Sequence, residues 1–72
     1  MKVYILQKTR PDFIETSVYK EIGDAINALA KLAEEEAMEY YEDINGWIDD
    51  LEFPIEAEGK EIYAIIEEKE LN

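Results

Sequence analysis

The 72-residue sequence has no cysteine and no histidine. Disulfide stapling and Cys/His zinc sites are therefore excluded, and so is any catalytic device built on an imidazole or a thiol. Ser17 is the only serine, and Gly23, Gly46 and Gly59 stand apart, so no glycine-rich phosphate loop is present. Two prolines and one tryptophan complete the short supplies. The opening stretch MKVYILQKT has no long apolar run and no small-residue cleavage site, so neither a signal peptide nor a membrane span is expected. The lack of cysteine fits a reducing compartment, and the cytoplasm is the expected location.

Basic residues are also few. Seven Lys and Arg face nineteen Asp and Glu, for a net charge of −12. The sign is unevenly spread. Residues 1–33 carry five basic side chains against four acidic ones, a net +1. Residues 34–72 carry only Lys60 and Lys69 against fifteen acids, a net −13. Such a field repels nucleic acid and anionic membranes and steers basic partners in quickly. With 47% hydrophobic residues the chain is expected to fold rather than stay disordered. At this length it is one domain, residues 1–72, whose core must be aliphatic and aromatic.

The stretch from Asp24 to Asp43, DAINALAKLAEEEAMEYYED, has helical period. Ile26, Leu29, Ala30, Ala33, Ala37, Tyr40 and Ile44 recur at steps of three and four, with Leu32 and Tyr41 flanking the stripe. Asp24 is the expected N-cap, and Asn45-Gly46 the expected stop. Glu34, Glu35, Glu36, Glu39, Glu42 and Asp43 crowd the second half, the negative end of the macrodipole, with no basic residue among them. A helix selected only for stability would carry its charges the other way round, although a plain solvated face explains glutamates too.

Around this helix, Val3–Lys8 and Phe13–Lys20 read as two strands joined through Thr9-Arg10-Pro11-Asp12. Ile14, Thr16 and Val18 face one way in the second strand; Phe13, Glu15, Ser17 and Tyr19 face the other. Trp47 to Ile55 alternates apolar and acidic, with Pro54 marking an edge or bulge. Glu58-Gly59 signals a turn, and Lys60–Leu71 a last strand. Val3–Leu6 and Ile62–Ile66 are apolar on both faces, as central strands are. The expected class is α+β: a two-layer β-β-α-β-β domain with one helix on a mostly antiparallel four-stranded sheet.

No pattern here points to an enzyme. Paired carboxylates need a pocket that separates their pKa values, and a domain this small has little room for one. Asp43–Asp50 has a calcium-like flavour but fails the EF-hand pattern: Trp47 falls on a ligand position, Ile48 where glycine is needed, Pro54 on the closing glutamate. No cofactor, metal or small-molecule substrate is expected. Trp47 and Tyr40 are assigned to the core, and Tyr41 is open between core and interface.

What remains is the acid surface. On a helix, Glu35 and Glu39 would be ~6 Å apart in rise, on the order of the ~3.4 Å steps of backbone phosphates. Asp49, Asp50 and Glu52 would extend the row if the next strand left from the charged end. The candidate partner-binding set is therefore Glu34, Glu35, Glu36, Glu39, Tyr41, Glu42, Asp43, Asp49, Asp50 and Glu52.

The opening MKVYILQKT, the GDAINALAKLAEEEA helix and the closing IYAIIEEKEL together resemble small acidic bacteriophage accessory proteins, of the anti-CRISPR and anti-restriction DNA-mimic type. The resemblance spans the chain and implies an inhibitor, acting in the host-cell cytoplasm. Its partner would be a basic nucleic-acid-binding protein such as a CRISPR effector or restriction enzyme, with no direct contact to nucleic acid or membrane. The alternative is a regulatory or antitoxin-like interaction module docking through a sheet edge or aromatics, in which acidity serves only solubility.

Overall fold

A computed structural model describes residues 1–41 and 52–71. Five strands and one helix follow in the order β1 (Lys2–Thr9), β2 (Ile14–Tyr19), α1 (Ile22–Glu36), β3 (Glu39–Tyr40), β4 (Ile55–Glu58) and β5 (Tyr63–Glu70). The sheet order is β2-β1-β5-β4-β3, with every neighbouring pair antiparallel. The fold is α+β, one helix against an antiparallel sheet, with five strands rather than the expected four.

β1 and β5, the two strands apolar on both faces, lie inside the sheet. Strand alternation then sorts the residues. One face carries Tyr4 and Leu6 of β1, Ala64 and Ile66 of β5, Ile55 and Ala57 of β4, and Tyr19 of β2. Leu6, Ile55, Ala57, Ala64 and Ile66 join Ala25, Leu29, Leu32 and Ala33 of α1 in a single buried cluster. Leu29, Ile55 and Ile66 are its largest fully buried side chains. Among the described residues the second face carries no helix. There β2 presents Ile14, Thr16 and Val18, as its alternation predicts, beside Ile5, Gln7, Ile65 and Tyr63 of the inner strands.

The helix departs from expectation at both ends. It begins at Ile22, with Glu21 as N-cap, so Asp24 lies in the first turn rather than before it. It ends at Glu36, well short of Asp43. Ala37 takes a left-handed conformation (φ 51°, ψ 47°), and the Met38 amide donates to the Ala33 carbonyl at 2.9 Å. This closes the helix as a left-handed glycine usually does, but with alanine. Met38 then drops into the core, and Glu39-Tyr40 pairs with Glu58 and Ala57 of β4. Tyr40 is thus a strand residue, not part of a helical stripe. The stripe itself is turned by a residue: Ala25 and Leu32 are buried, whereas Ala30 is exposed.

The strand expected over Trp47–Ile55 lies largely outside the described residues. Its tail corrects differently: Pro54 precedes β4 rather than ending it. The calcium-like loop, the Asn45-Gly46 stop and Trp47 also fall outside the described residues. At Gly59 the chain passes close to its neighbours. A Cβ there would lie 2.9 Å from Ile62 Cγ2 and 3.0 Å from Met38 Cγ, so the turn between β4 and β5 takes glycine for lack of room.

The left-handed alanine gives a simple test. An L-residue with a Cβ pays ~1 kcal/mol or more in this conformation. Ala37→Gly is expected to raise unfolding free energy by roughly 0.5–1 kcal/mol, because the relief exceeds the extra chain entropy. Urea melts of the two proteins measure it; a loss of stability would contradict the assigned cap.

Candidate partner-binding surface

The charges sort across the sheet. The three basic side chains of β1 and the following turn are each paired with an acid: Lys2 with Glu68 at 3.5 Å, Lys8 with Glu15 at 3.5 Å, Arg10 with Glu36 at 3.2 Å. The terminal amino group pairs with Glu70 at 3.0 Å. These pairs are partly or largely exposed, so each adds little stability. Their effect is to neutralise Glu15, Glu36, Glu68 and Glu70 locally.

Among the described residues β3 and β4 have no such partners. β3 and β4 contain no Lys or Arg. Glu39 and Glu58 stand directly opposite each other across the β3–β4 ladder, and Glu56 follows two residues along β4. All three point to the face without the helix, and among the described residues no cation forms an ion pair with them. Like charges directly opposed on a sheet are destabilising, so the local arrangement is not the most stable available.

Two tyrosines organise this acid group. The Tyr41 amide extends the ladder by donating to the Glu56 carbonyl at 2.9 Å. Its hydroxyl donates to Glu58 Oε2 at 2.5 Å, and the Tyr63 hydroxyl donates to Glu56 Oε1 at 2.9 Å. The two rings meet edge-on, with centroids 6.3 Å apart. Tyr41 is 58% exposed, a large aromatic left in solvent beside carboxylates. The surface therefore offers hydrogen-bonded acceptors flanking an aromatic platform, a combination suited to Arg and Lys of a partner.

The tyrosines titrate high. Burial first, then the hydrogen bond to Glu56 and the neighbouring charges, pushes Tyr63 up to about 12. The hydrogen bond to Glu58 is the main cause that raises Tyr41, and burial alone raises Tyr40. A raised phenol pKa means the fold favours the neutral form. That preference is fully present below the ordinary value of 10.0 and is lost as pH rises through about 12. An ultraviolet phenolate titration is therefore expected to show a late component that Tyr63→Phe removes. Stability should fall more gently over that same window in Tyr63→Phe than in the parent chain.

The expected set is thus divided. Glu34, Glu35 and Glu36 are exposed at the end of α1, in the helix layer, and Glu36 is taken by Arg10. Glu39 and Tyr41 lie on β3 and its extension, and Glu39 faces away from the helix, so the Glu35–Glu39 row does not exist. Glu52 is exposed ahead of β4, while Glu42, Asp43, Asp49 and Asp50 lie outside the described residues. Sequence reasoning missed Glu56, Glu58 and Tyr63. The signal was the alternation Ile55-Glu56-Ala57-Glu58, apolar inward and acidic outward. Among the described residues no helix is long and apolar enough to cross a membrane. No family model, curated protein or solved structure matches the chain.

Proposed function

We propose that this protein is an acidic protein-binding inhibitor that occludes the nucleic-acid-binding site of a host-defence protein, of the anti-CRISPR or DNA-mimic type. The observation that carries the reading is the un-neutralised group Glu39, Glu56 and Glu58 on adjacent strands, beside exposed Tyr41, in a chain that pairs Lys2, Lys8 and Arg10 with other acids. A groove built for a nucleic-acid backbone presents Lys and Arg at close spacing. Carboxylates along β4 repeat every ~6.8 Å, two residues at ~3.4 Å each, which spans two phosphate steps. The host-defence part of the reading rests on the sequence resemblance alone. Carboxylates of the described helix end contribute to the field that steers the partner; those of β3 and β4 make the contact.

A second reading keeps the same surface but gives the energy to Tyr41, as in a regulatory or antitoxin-like module. Its exposed ring supports this, since tyrosine is a common interface anchor. Capture from a bacterial lysate on immobilised protein, eluted by rising salt, separates the two. The first reading expects a basic nucleic-acid-binding protein released by moderate salt, because screening weakens charge contacts. Retention in high salt, with loss on Tyr41→Ala, favours the second.

A further inference from the structure

Among the described residues, the long unpaired edge of the sheet is β2, whereas β3 at the opposite edge spans two residues. Within Ile14–Tyr19 there is no lysine, no proline and no bulge to guard that edge. Ile14 and Val18 are each 61% exposed on the face without the helix. The Arg10 amide donates to the Phe13 carbonyl at 2.9 Å, which makes Arg10–Phe13 a hydrogen-bonded pair of the β1–β2 ladder. Alternation then aims the backbone groups of Glu15, Ser17 and Tyr19 at β1, and those of Ile14, Thr16 and Val18 outward.

We propose that a second copy of this chain pairs antiparallel along β2, about a two-fold axis through Thr16. The stretch DFIETSVYK is chemically self-complementary in that register. Ile14 falls opposite Val18 of the second copy, Thr16 opposite Thr16, and Glu15 opposite Ser17. Just beyond the strand, Phe13 meets Tyr19, and Asp12 meets Lys20 of opposite charge. The three outward residues pair only with outward residues, giving ~6 inter-chain N–H···O bonds. Moving the axis to Glu15 sets two carboxylates face to face. Moving it to Ser17 sets Ile14 against Lys20 and Glu15 against Tyr19. Of these three axes only the one at Thr16 sets no like charges together and no apolar side chain against a charge.

Charge also selects this edge. A chain of net −12 repels its copy, but residues 1–33, which hold β1 and β2, are near neutral. The acid group of β3 and β4 lies across β1 and β5 from the proposed seam. The two-fold stands perpendicular to the sheet, so both helices fall on one side and Ile14 and Val18 of both copies join on the other.

Sedimentation of the full chain at tens of micromolar tests this. The expected species has twice the chain mass. Val18→Lys is expected to raise the dimer dissociation constant at least tenfold with an unchanged circular-dichroism spectrum, because Val18 is exposed. Thr16→Pro should do the same, since its amide does not serve β1. In a chain without cysteine, Thr16→Cys should cross-link to itself under mild oxidation more readily than Glu15→Cys or Ser17→Cys. A monomer at all concentrations overturns the proposal, as does a dimer indifferent to Val18→Lys and Thr16→Pro. Preferential cross-linking through Glu15→Cys or Ser17→Cys overturns the register.

Discussion

Leu29→Ala is expected to leave the protein close to unfolded at physiological temperature. Leu29 is 0% exposed and sits among Leu6, Ile55 and Ile66, where sheet and helix meet. Truncating a leucine in such a position costs ~2–5 kcal/mol, the lost transfer energy plus the cavity left behind. A chain of this size has on the order of 4–11 kcal/mol in total, at ~0.05–0.15 kcal/mol per residue. No disulfide shares the load. The midpoint of thermal unfolding is expected to fall by roughly 10–30 °C, at ~4–8 °C per kcal/mol for a domain of this length. Ala30 supplies the contrast. Helical period alone puts it on the buried stripe, but it is exposed, so Ala30→Lys should change stability by no more than about 0.5 kcal/mol. If the two variants melted alike, the packing of α1 described above would be wrong.

The second large effect is on binding. Reversing Glu39 and Glu58 to lysine together is expected to weaken partner affinity on the order of 100-fold at low salt, because like charges then face each other across the contact. Reversing Glu34 and Glu35 in the helix layer should change it by only a few fold, through the long-range field. Stability should move the other way for Glu39→Lys alone. The parent chain opposes Glu39 to Glu58 directly, and the substitution turns a repulsive cross-strand pair into an attractive one. A gain of ~0.2–1 kcal/mol is expected. A gain in stability from Glu39→Lys, beside the loss of binding in the double variant, would mark Glu39 as a residue held there for binding. If Glu39→Lys instead destabilised the chain, the open pairing of these two glutamates would not be as described.

Much of this fold is legible in the sequence because its patterns are local. Two-faced apolar runs mark β1 and β5, Pro11-Asp12 marks the hairpin, and alternation assigns the two faces of β2. The helix stop is not legible, because it rests on alanine in a conformation where glycine is the usual signal. Period alone then carries the helix through Glu39 and Tyr40, whose spacing suits a helix as well as a strand. What decides between them is tertiary: Met38 reaches the core, and β4 offers Tyr40 a ladder. The same misreading displaces the site. Glu39 and Tyr41 belong to the acid surface, but their neighbours in space are Glu56, Glu58 and Tyr63, brought alongside by strand pairing rather than by helical spacing. The net −13 of residues 34–72 identifies the charged part of the chain, not the face that displays it.

The most direct test is the salt at which a captured basic protein leaves immobilised parent chain, the Glu39→Lys/Glu58→Lys variant and the Glu34→Lys/Glu35→Lys variant. Release of that protein at far lower salt from the first variant, and near the parent's value from the second, is the predicted result. Equal elution from all three columns would contradict the assignment of the β3–β4 surface as the contact.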